Sequence, residues 1–341
     1  MDKISNGLCF IIAEAGLNHN GDIKLAYKLI DAAKEAGADA VKFQTFTAED
    51  LVIEEAEKAE YQKEATDASE SQLSMLKKLE LKKNEFKELA EYTRKKGIMF
   101  LSTPFGLKSV DILEDCGVPA YKISSGDLTN ILLLKYVAEK GKPMIISTGM
   151  SNIGEVEFAL EAIKEARDLK DIVLLHCVSN YPASFESINL KAMKTLEQAF
   201  GLPIGYSDHT EGITISIAAA ALGAKVIEKH FTLDRNLPGP DHKASIEPDE
   251  LRDMVTAIRD VEKAFGDGIK RAMPEELEIR DVARKSIVAN EDIPEGTTIT
   301  EEMLTMKRPG TGIPSMHIEL IVGRTAKQKI GKDSLINWKQ I

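Results

Sequence analysis

Residues 202–232, LPIGYSDHTEGITISIAAAALGAKVIEKHFT, hold two short apolar runs, 203–206 and 225–227, each breaking into a polar cluster. Between them, residues 212–222 are apolar and alanine-rich, the pattern of a buried helix. Strand, helix and strand make a βαβ unit, for which a right-handed crossover is expected. The first strand delivers Ser207, Asp208 and His209 at its C-terminal end, and the second delivers Glu228, Lys229 and His230. Parallel sheets, open or closed, collect their catalytic groups at those ends. Two imidazoles on neighbouring strand ends can share one metal ion, with carboxylates nearby to orient the rings. Taken singly, each histidine reads equally well as a hydrogen-bonded rim residue. The pair, among convergent polar neighbours, points to a site.

The same alternation runs outward from this unit. Strand-like runs occur at 10–13, 40–43, 99–102, 120–123, 143–147, 172–178, 203–206 and 225–227, with helical periodicity between them, as in 23–36, 83–96, 154–166 and 190–200. Eight βα units in about 265 residues predict a (β/α)8 barrel. A doubly wound open sheet is the alternative, but no Gly-x-Gly-x-x-Gly turn follows the first strand. One connection, 47–81, is unusually long, charged and helix-prone. Long βα loops on a barrel's top face form lids or substrate walls; a solvated helical excursion is the other reading. The eighth helix, 251–265, is followed by a glycine-bearing charged linker, 266–283, and then by short strands and tight turns over 284–341. That last stretch is too short to bury much core alone, so a small β-rich module leaning on another surface is expected.

Composition bounds what the chain does. Its 341 residues are 43% hydrophobic and 29% charged, the balance of a soluble globular protein. No apolar run is long enough to span a membrane. Cys9, Cys116 and Cys177 are scattered and odd in number, which fits a reducing cytoplasm rather than a disulfide framework. A formal charge of −11 disfavours nucleic acid and anionic membranes. Such a protein binds an anion only by concentrating lysines in one pocket.

The strand ends supply that pocket. Strand one ends in Glu14 and GLNHNGD; strand two carries Lys42 and Gln44, two residues apart and therefore on one face. Strand four offers Lys122, Ser125 and Asp127, strand five Ser147, Thr148 and Gly149, and strand six Ser179, Asn180 and Tyr181. A lysine inside a barrel strand is costly unless paired, so Lys42 and Lys122 read as functional. With the serine and glycine turns they form a phosphate cradle. His176 reads as a structural residue pointing into the barrel, His19 is open between the two roles, and His242 is a top-face candidate. Lys122 also admits a Schiff-base aldolase acting on pyruvate. A non-catalytic carbohydrate-binding protein is a further class, opposed by the complete set of polar strand ends.

IIAEAGLNHNGD, VKFQT, FLSTPF, YKISSGD, IISTGMS, YSDHTEG, ALGAKVIEKHFTLD, GPDHKAS and KRPGTG together resemble, in order and over nearly the whole chain, the sialic acid synthases. These are phosphoenolpyruvate-dependent nonulosonic acid synthases. The resemblance implies a (β/α)8 barrel followed by a small antifreeze-like (SAF) domain, with the small domain closing the barrel of its partner in a domain-swapped homodimer. It implies that His209 and His230 bind a divalent metal ion, manganese in the first instance, with magnesium or cobalt as alternatives. Lys42, Lys122, Ser125, Ser147 and Ser207 resemble the phosphoenolpyruvate-holding positions, and Ser179 belongs with the substrate-binding set. Glu14, Gln44, Tyr181 and Asp241 resemble sugar-facing positions, Glu14 also as a proton carrier. Asp127 stands where many members carry glutamate, one methylene longer. Arg308 resembles the arginine that reaches the partner's sugar. The expected activity is N-acetylneuraminate synthesis from phosphoenolpyruvate and N-acetylmannosamine. The alternative is legionaminic acid synthesis from 2,4-diacetamido-2,4,6-trideoxymannose.

Overall fold

The computed structural model describes residues 7–67 and 69–341. The chain divides into two compact units, Met1–Phe265 and Gly266–Ile341. In the first unit, eight parallel strands alternate with helices: β1 Phe10–Gly16, β2 Ala40–Thr45, β3 Met99–Pro104, β4 Tyr121–Ile123, β5 Met144–Ser147, β6 Ile172–Cys177, β7 Ile204–Asp208 and β8 Val226–His230. Their order is β3-β2-β1-β8-β7-β6-β5-β4, and β3 and β4 lie against each other to complete the ring. This is the expected barrel.

Two apolar layers hold it. The larger lies between strands and helices; it includes Ile11, Ala13, Val41, Phe43, Leu174 and Tyr206 from the strands and Leu29, Leu89, Leu133 and Ile258 from the helices. The smaller fills the barrel's interior with Phe10, Ile12, Ala40, Leu101, Ala120, Ile145, Val173, Leu175 and Val226. Glycine is required at 205, where a Cβ would lie 2.4 Å from the Val226 carbonyl oxygen.

Strands β7 and β8 run past the ends of their apolar runs, through Asp208 and His230. Hydropathy stops them early because their last inward residues are polar. The helix between them spans Thr214–Ala221. His176 is a correction: it pairs with Tyr206 and hydrogen-bonds the Ile188 carbonyl through Nε2. The step of two that sends Val173 and Leu175 into the barrel sends His176 outward.

The connection between β2 and β3 folds into short helices at Ala48–Leu51, Glu60–Ala65 and Gln72–Leu79 before the long helix Lys83–Lys96. Leu17, Phe46, Ala48, Met75, Leu76 and Leu79 make a satellite core of their own, with Leu51, Val52, Leu73 and Phe105 packed against it.

The second unit carries a helix at Glu276–Ala283 with no buried residue, and an antiparallel pair, β9 Ser286–Ala289 with β10 Leu304–Lys307. A single 3-10 turn, Glu301–Met303, leads into β10. Its core is built of Ile287, Ile293, Ile299, Ile313, Ile321, Ile330 and Ile336 with a few smaller or longer apolar residues.

Candidate active site

On seven of the eight strands the inward face changes from apolar to polar in one step of two. Ile12 is followed by Glu14, Ala40 by Lys42 and Gln44, Leu101 by Thr103, and Ala120 by Lys122. Ile145 gives way to Ser147, Gly205 to Ser207 and His209, and Val226 to Glu228 and His230. These polar residues line one cavity of about 360 Å³ at the C-terminal ends of the strands. Barrel enzymes carry their chemistry at that face.

Glu228 is the hub of the floor. Its carboxylate lies 3.5 Å from Lys122 Nζ and 3.7 Å from Lys42 Nζ, and accepts from Ser207 Oγ at 2.9 Å. Lys42 is also 2.7 Å from Glu14 and donates to Thr103 Oγ1 at 3.1 Å. Lys122 donates to Ser147 Oγ at 2.6 Å and to the Ile123 carbonyl at 3.0 Å. Gln44 donates to Glu14 at 3.3 Å.

All of these charged groups are buried, and burial penalises charge. Burial, helped by the neighbouring Glu228 charge, lifts Glu14 to about 7 even with Lys42 beside it. Burial acts on Glu228 too, but Lys122 and Lys42 together hold it below the ordinary carboxylate range. One carboxylate is thus poised to carry a proton near neutral pH while the other stays ionised. Asp241 is raised by burial to about 6.

The two histidines sit side by side above this floor, ring centroids 5.6 Å apart. His209 Nδ1 lies 2.7 Å from the Val178 carbonyl oxygen, so that nitrogen carries the hydrogen and Nε2 keeps its lone pair. His230 Nδ1 is buried without a hydrogen-bond partner, 4.0 Å from Asp241. Burial drives His209 down to about 4 and His230 well below its usual value. Two neutral imidazoles, one with an orphaned buried nitrogen, fit a divalent metal of intermediate softness. Among the described residues, no three His, Cys, Asp or Glu side chains converge as a metal cluster. The chain would therefore supply two imidazoles, leaving other positions to water and substrate oxygens. The Tyr181 ring lies tilted over His209, centroids 4.2 Å apart, and meets His230 edge-on at 5.5 Å.

At the turn after β5, the Gly149 N–H donates to Ser125 Oγ at 3.0 Å. A Cβ at Gly149 would lie 2.3 Å from Ser179 Oγ and 2.8 Å from Ser125 Oγ. Only glycine lets this turn press against both serines, and both serines line the cavity.

Of the sequence-derived residues, Glu14, Lys42, Gln44, Lys122, Ser125, Ser147, Ser179, Tyr181, Ser207, His209, His230 and Asp241 share this cavity. Asp127 does not line it: its carboxylate accepts from Ser124 Oγ at 2.7 Å and from Asn130 Nδ2 at 3.1 Å, bracing a local turn. Arg308 belongs to the second unit, where its Nε donates to the Ala283 carbonyl at 2.9 Å. His19 and His242 are buried rim residues, the first accepting from Gly21 N–H, the second bonded to Thr232 and Asn20. Glu228, named at its strand end but given no role by the sequence, proves central to the cavity floor; its place two residues before His230 is the signal. Lys229 and Asp208 face away from the cavity and pair with each other at 3.1 Å, fully buried.

A family model described as the NeuB family matches residues 29–270, and the SAF domain model matches 284–341. The chain belongs to the NeuB family. This NeuB-family chain is an enzyme, a transferase of the nonulosonic acid synthase type. It is 52% identical over 96% of its length to the N,N'-diacetyllegionaminic acid synthase of Campylobacter jejuni, covering 98% of that protein. The protein of the same name from Legionella pneumophila is 49% identical over 99% of this chain and 96% of its own. Among solved structures, the N-acetylneuraminic acid synthetase of Leptospira borgpetersenii, in complex with citrate, is 41% identical at a TM-score of 0.71, covering 80% of this chain and 90% of that one.

Proposed function

We propose that this enzyme is an N,N'-diacetyllegionaminic acid synthase, condensing phosphoenolpyruvate with 2,4-diacetamido-2,4,6-trideoxymannose and releasing phosphate. The observation that carries the reaction class is the pair of buried lysines, Lys42 and Lys122, gathered around Glu228 beside two neutral histidines. The choice of sugar rests on the two relatives named for that product. The N-acetylneuraminate reading keeps the support of the solved Leptospira structure at lower identity.

The chain's groups divide the work. Lys42, Lys122, Ser125, Ser147 and Ser207 hold the phosphate and carboxylate of phosphoenolpyruvate, a positioning and electrostatic contribution. His209 and His230 would hold a divalent ion, manganese or else magnesium or cobalt, which when bound would supply Lewis acidity toward the aldehyde of the open-chain sugar. Carbon 3 of phosphoenolpyruvate bonds to the aldehyde carbon, whose oxygen takes a proton from Glu14, and carbon 2 becomes cationic. Water adds at carbon 2 and loses a proton, and the tetrahedral intermediate breaks its C–O bond to expel phosphate. Gln44, Tyr181 and Asp241 face the sugar, and Ser179 supports the phosphate turn. Asp127 has no step here because its carboxylate is committed to its turn.

A Schiff-base aldolase needs an unprotonated Lys122. Burial does lower that lysine, but it donates to Ser147 and Ile123 O and faces Glu228, the surroundings of an ammonium. We read 1–265 as the catalytic domain, 266–283 as linker and 284–341 as the SAF domain, with Arg308 serving a partner's barrel in a swapped homodimer. The support is the family resemblance together with the exposed Arg308, whose Nε donates to the Ala283 carbonyl in its own unit. Phosphate release from phosphoenolpyruvate, assayed with each of the two sugars and with none, tests the function. Release dependent on the trideoxy sugar supports it, and sugar-independent or absent release contradicts it.

A further inference from the structure

The cavity's lining has two chemistries. The floor, from the barrel strands, is charged. Another part of the lining is apolar and comes from Leu17, Leu51, Val52, Leu76 and Phe105. Three of the five belong to the 47–81 connection, and all five are part of, or packed against, the satellite core it builds. Leu17 and Leu76 are buried, whereas Leu51, Val52 and Phe105 keep part of their surface accessible. A surface loop has no need to aim that apolar surface into a site whose floor is ionic. The same connection reaches the histidine pair as well, because the Tyr61 ring packs against Tyr181 at 5.1 Å and Tyr181 packs against His209.

We infer that Leu51, Val52, Leu76 and Phe105 form the specificity wall of the sugar site, selecting a deoxygenated, acylated sugar tail over a hydroxylated one. The inference rests on the phosphoenolpyruvate-dependent reading above. With the anion held by the lysines and the aldehyde held at the histidines, the far carbons of an open-chain sugar must lie in the rest of the cavity. N-acetylmannosamine would bring hydroxyls on carbons 4 and 6 to this wall, whose four side chains offer them no hydrogen-bond partner, although Tyr61, Gln62 and Gln72 of the same connection line other parts of the cavity. 2,4-Diacetamido-2,4,6-trideoxymannose brings an acetamido methyl and a terminal methyl group, whose burial is favourable there. An apolar pocket discriminates modestly, about 10–200-fold for such a change, so the wall biases the choice without making it absolute. The 47–81 connection therefore acts as a substrate-reading element. Phe105 adds to it from the turn after β3.

The test compares kcat/KM for the two sugars, at saturating phosphoenolpyruvate and Mn²⁺, in the wild type and in Val52→Thr and Leu51→Asn. Val52→Thr is isosteric and leaves the satellite core filled; thermal melting of both variants checks that the fold is kept. The wild type is expected to favour the trideoxy sugar by at least about tenfold. Each variant should lose at least about fivefold of that preference, mainly through a higher KM for the trideoxy sugar, with the phosphoenolpyruvate KM unchanged. A wild-type preference that both folded variants retain within twofold overturns the wall while leaving the proposed function standing. A wild type that favours N-acetylmannosamine, or uses neither sugar, overturns the functional reading and the wall with it.

Discussion

Replacing Lys42 with Met removes the cation shared by Glu14 and Glu228 while preserving most of the volume. Lys42 lies 2.7 Å from Glu14 and 3.7 Å from Glu228, with all three side chains nearly inaccessible. Breaking a buried ion pair by removing one partner costs about 3–5 kcal/mol, because a charge is left buried without compensation. Taking about 2–4 °C per kcal/mol for a unit of this size, the melting temperature should fall by roughly 6–20 °C at pH 8.5 in chelator-treated protein. The pH dependence has a definite sign. Glu14 is already lifted to about 7 by burial and by Glu228, and Lys42 is what opposes that rise. Without the lysine its folded-state value climbs further above the unfolded carboxylate value. An acid raised on folding carries its penalty in full above the folded value and sheds it as pH falls toward the unfolded one. The loss in the variant should therefore shrink clearly between pH 8.5 and pH 5.5. Adding Glu14→Gln should recover part of it at pH 8.5 and little at pH 5.5. Scanning fluorimetry of the four proteins at both pH values provides the assay. Equal losses at the two pH values, or a loss under 2 °C at pH 8.5, would refute the electrostatic account of the floor.

Three further outcomes are expected. His209→Ala and His230→Ala should each abolish turnover, chelation should do the same to the wild type, and Mn²⁺ should restore only the wild type; full activity in metal-free protein would remove the metal from the site. Lys122→Met should raise the phosphoenolpyruvate KM or lower kcat by at least about tenfold, the worth of one charged hydrogen bond, and unchanged kinetics would place the phosphate elsewhere. Arg308→Ala and Lys122→Ala homodimers should each be nearly inactive. Co-refolded mixtures should recover to about a quarter of wild type, since half of randomly assorted dimers are mixed and each carries one good site. Mixed dimers as inactive as their parents would assign Arg308 to its own barrel.

How much of this was legible in the sequence depends on periodicity. Where strands alternate with helices, the apolar runs located all eight strands to within a few residues. The strands were read short at their C-terminal ends because hydropathy marks a strand's apolar half only, and the last inward residues of β1, β2, β7 and β8 are Glu14, Gln44, Ser207 and His230. Extending each strand by steps of two would have carried Ile12 to Glu14 and Val226 through Glu228 to His230. It would also have turned His176 outward. Asp127, read off the end of strand four, lies in the 3-10 turn beyond β4 and outside the cavity's lining, because the period of two stops where the strand stops. Arg308 rests on motif resemblance alone. The apolar wall was beyond local reading. Leu51–Val52, Leu76 and Phe105 come from three separate stretches of the chain, and only the packing of a satellite core brings them to one surface.

The central claim is tested most directly by competition in a single tube. Enzyme, phosphoenolpyruvate and Mn²⁺ are mixed with equimolar N-acetylmannosamine and 2,4-diacetamido-2,4,6-trideoxymannose, and the products are weighed by mass spectrometry while phosphate is counted. The account predicts one phosphate per product and a large excess of the diacetylated nonulosonic acid. A product mixture dominated by N-acetylneuraminate, or sugar consumed without release of phosphate, would contradict it.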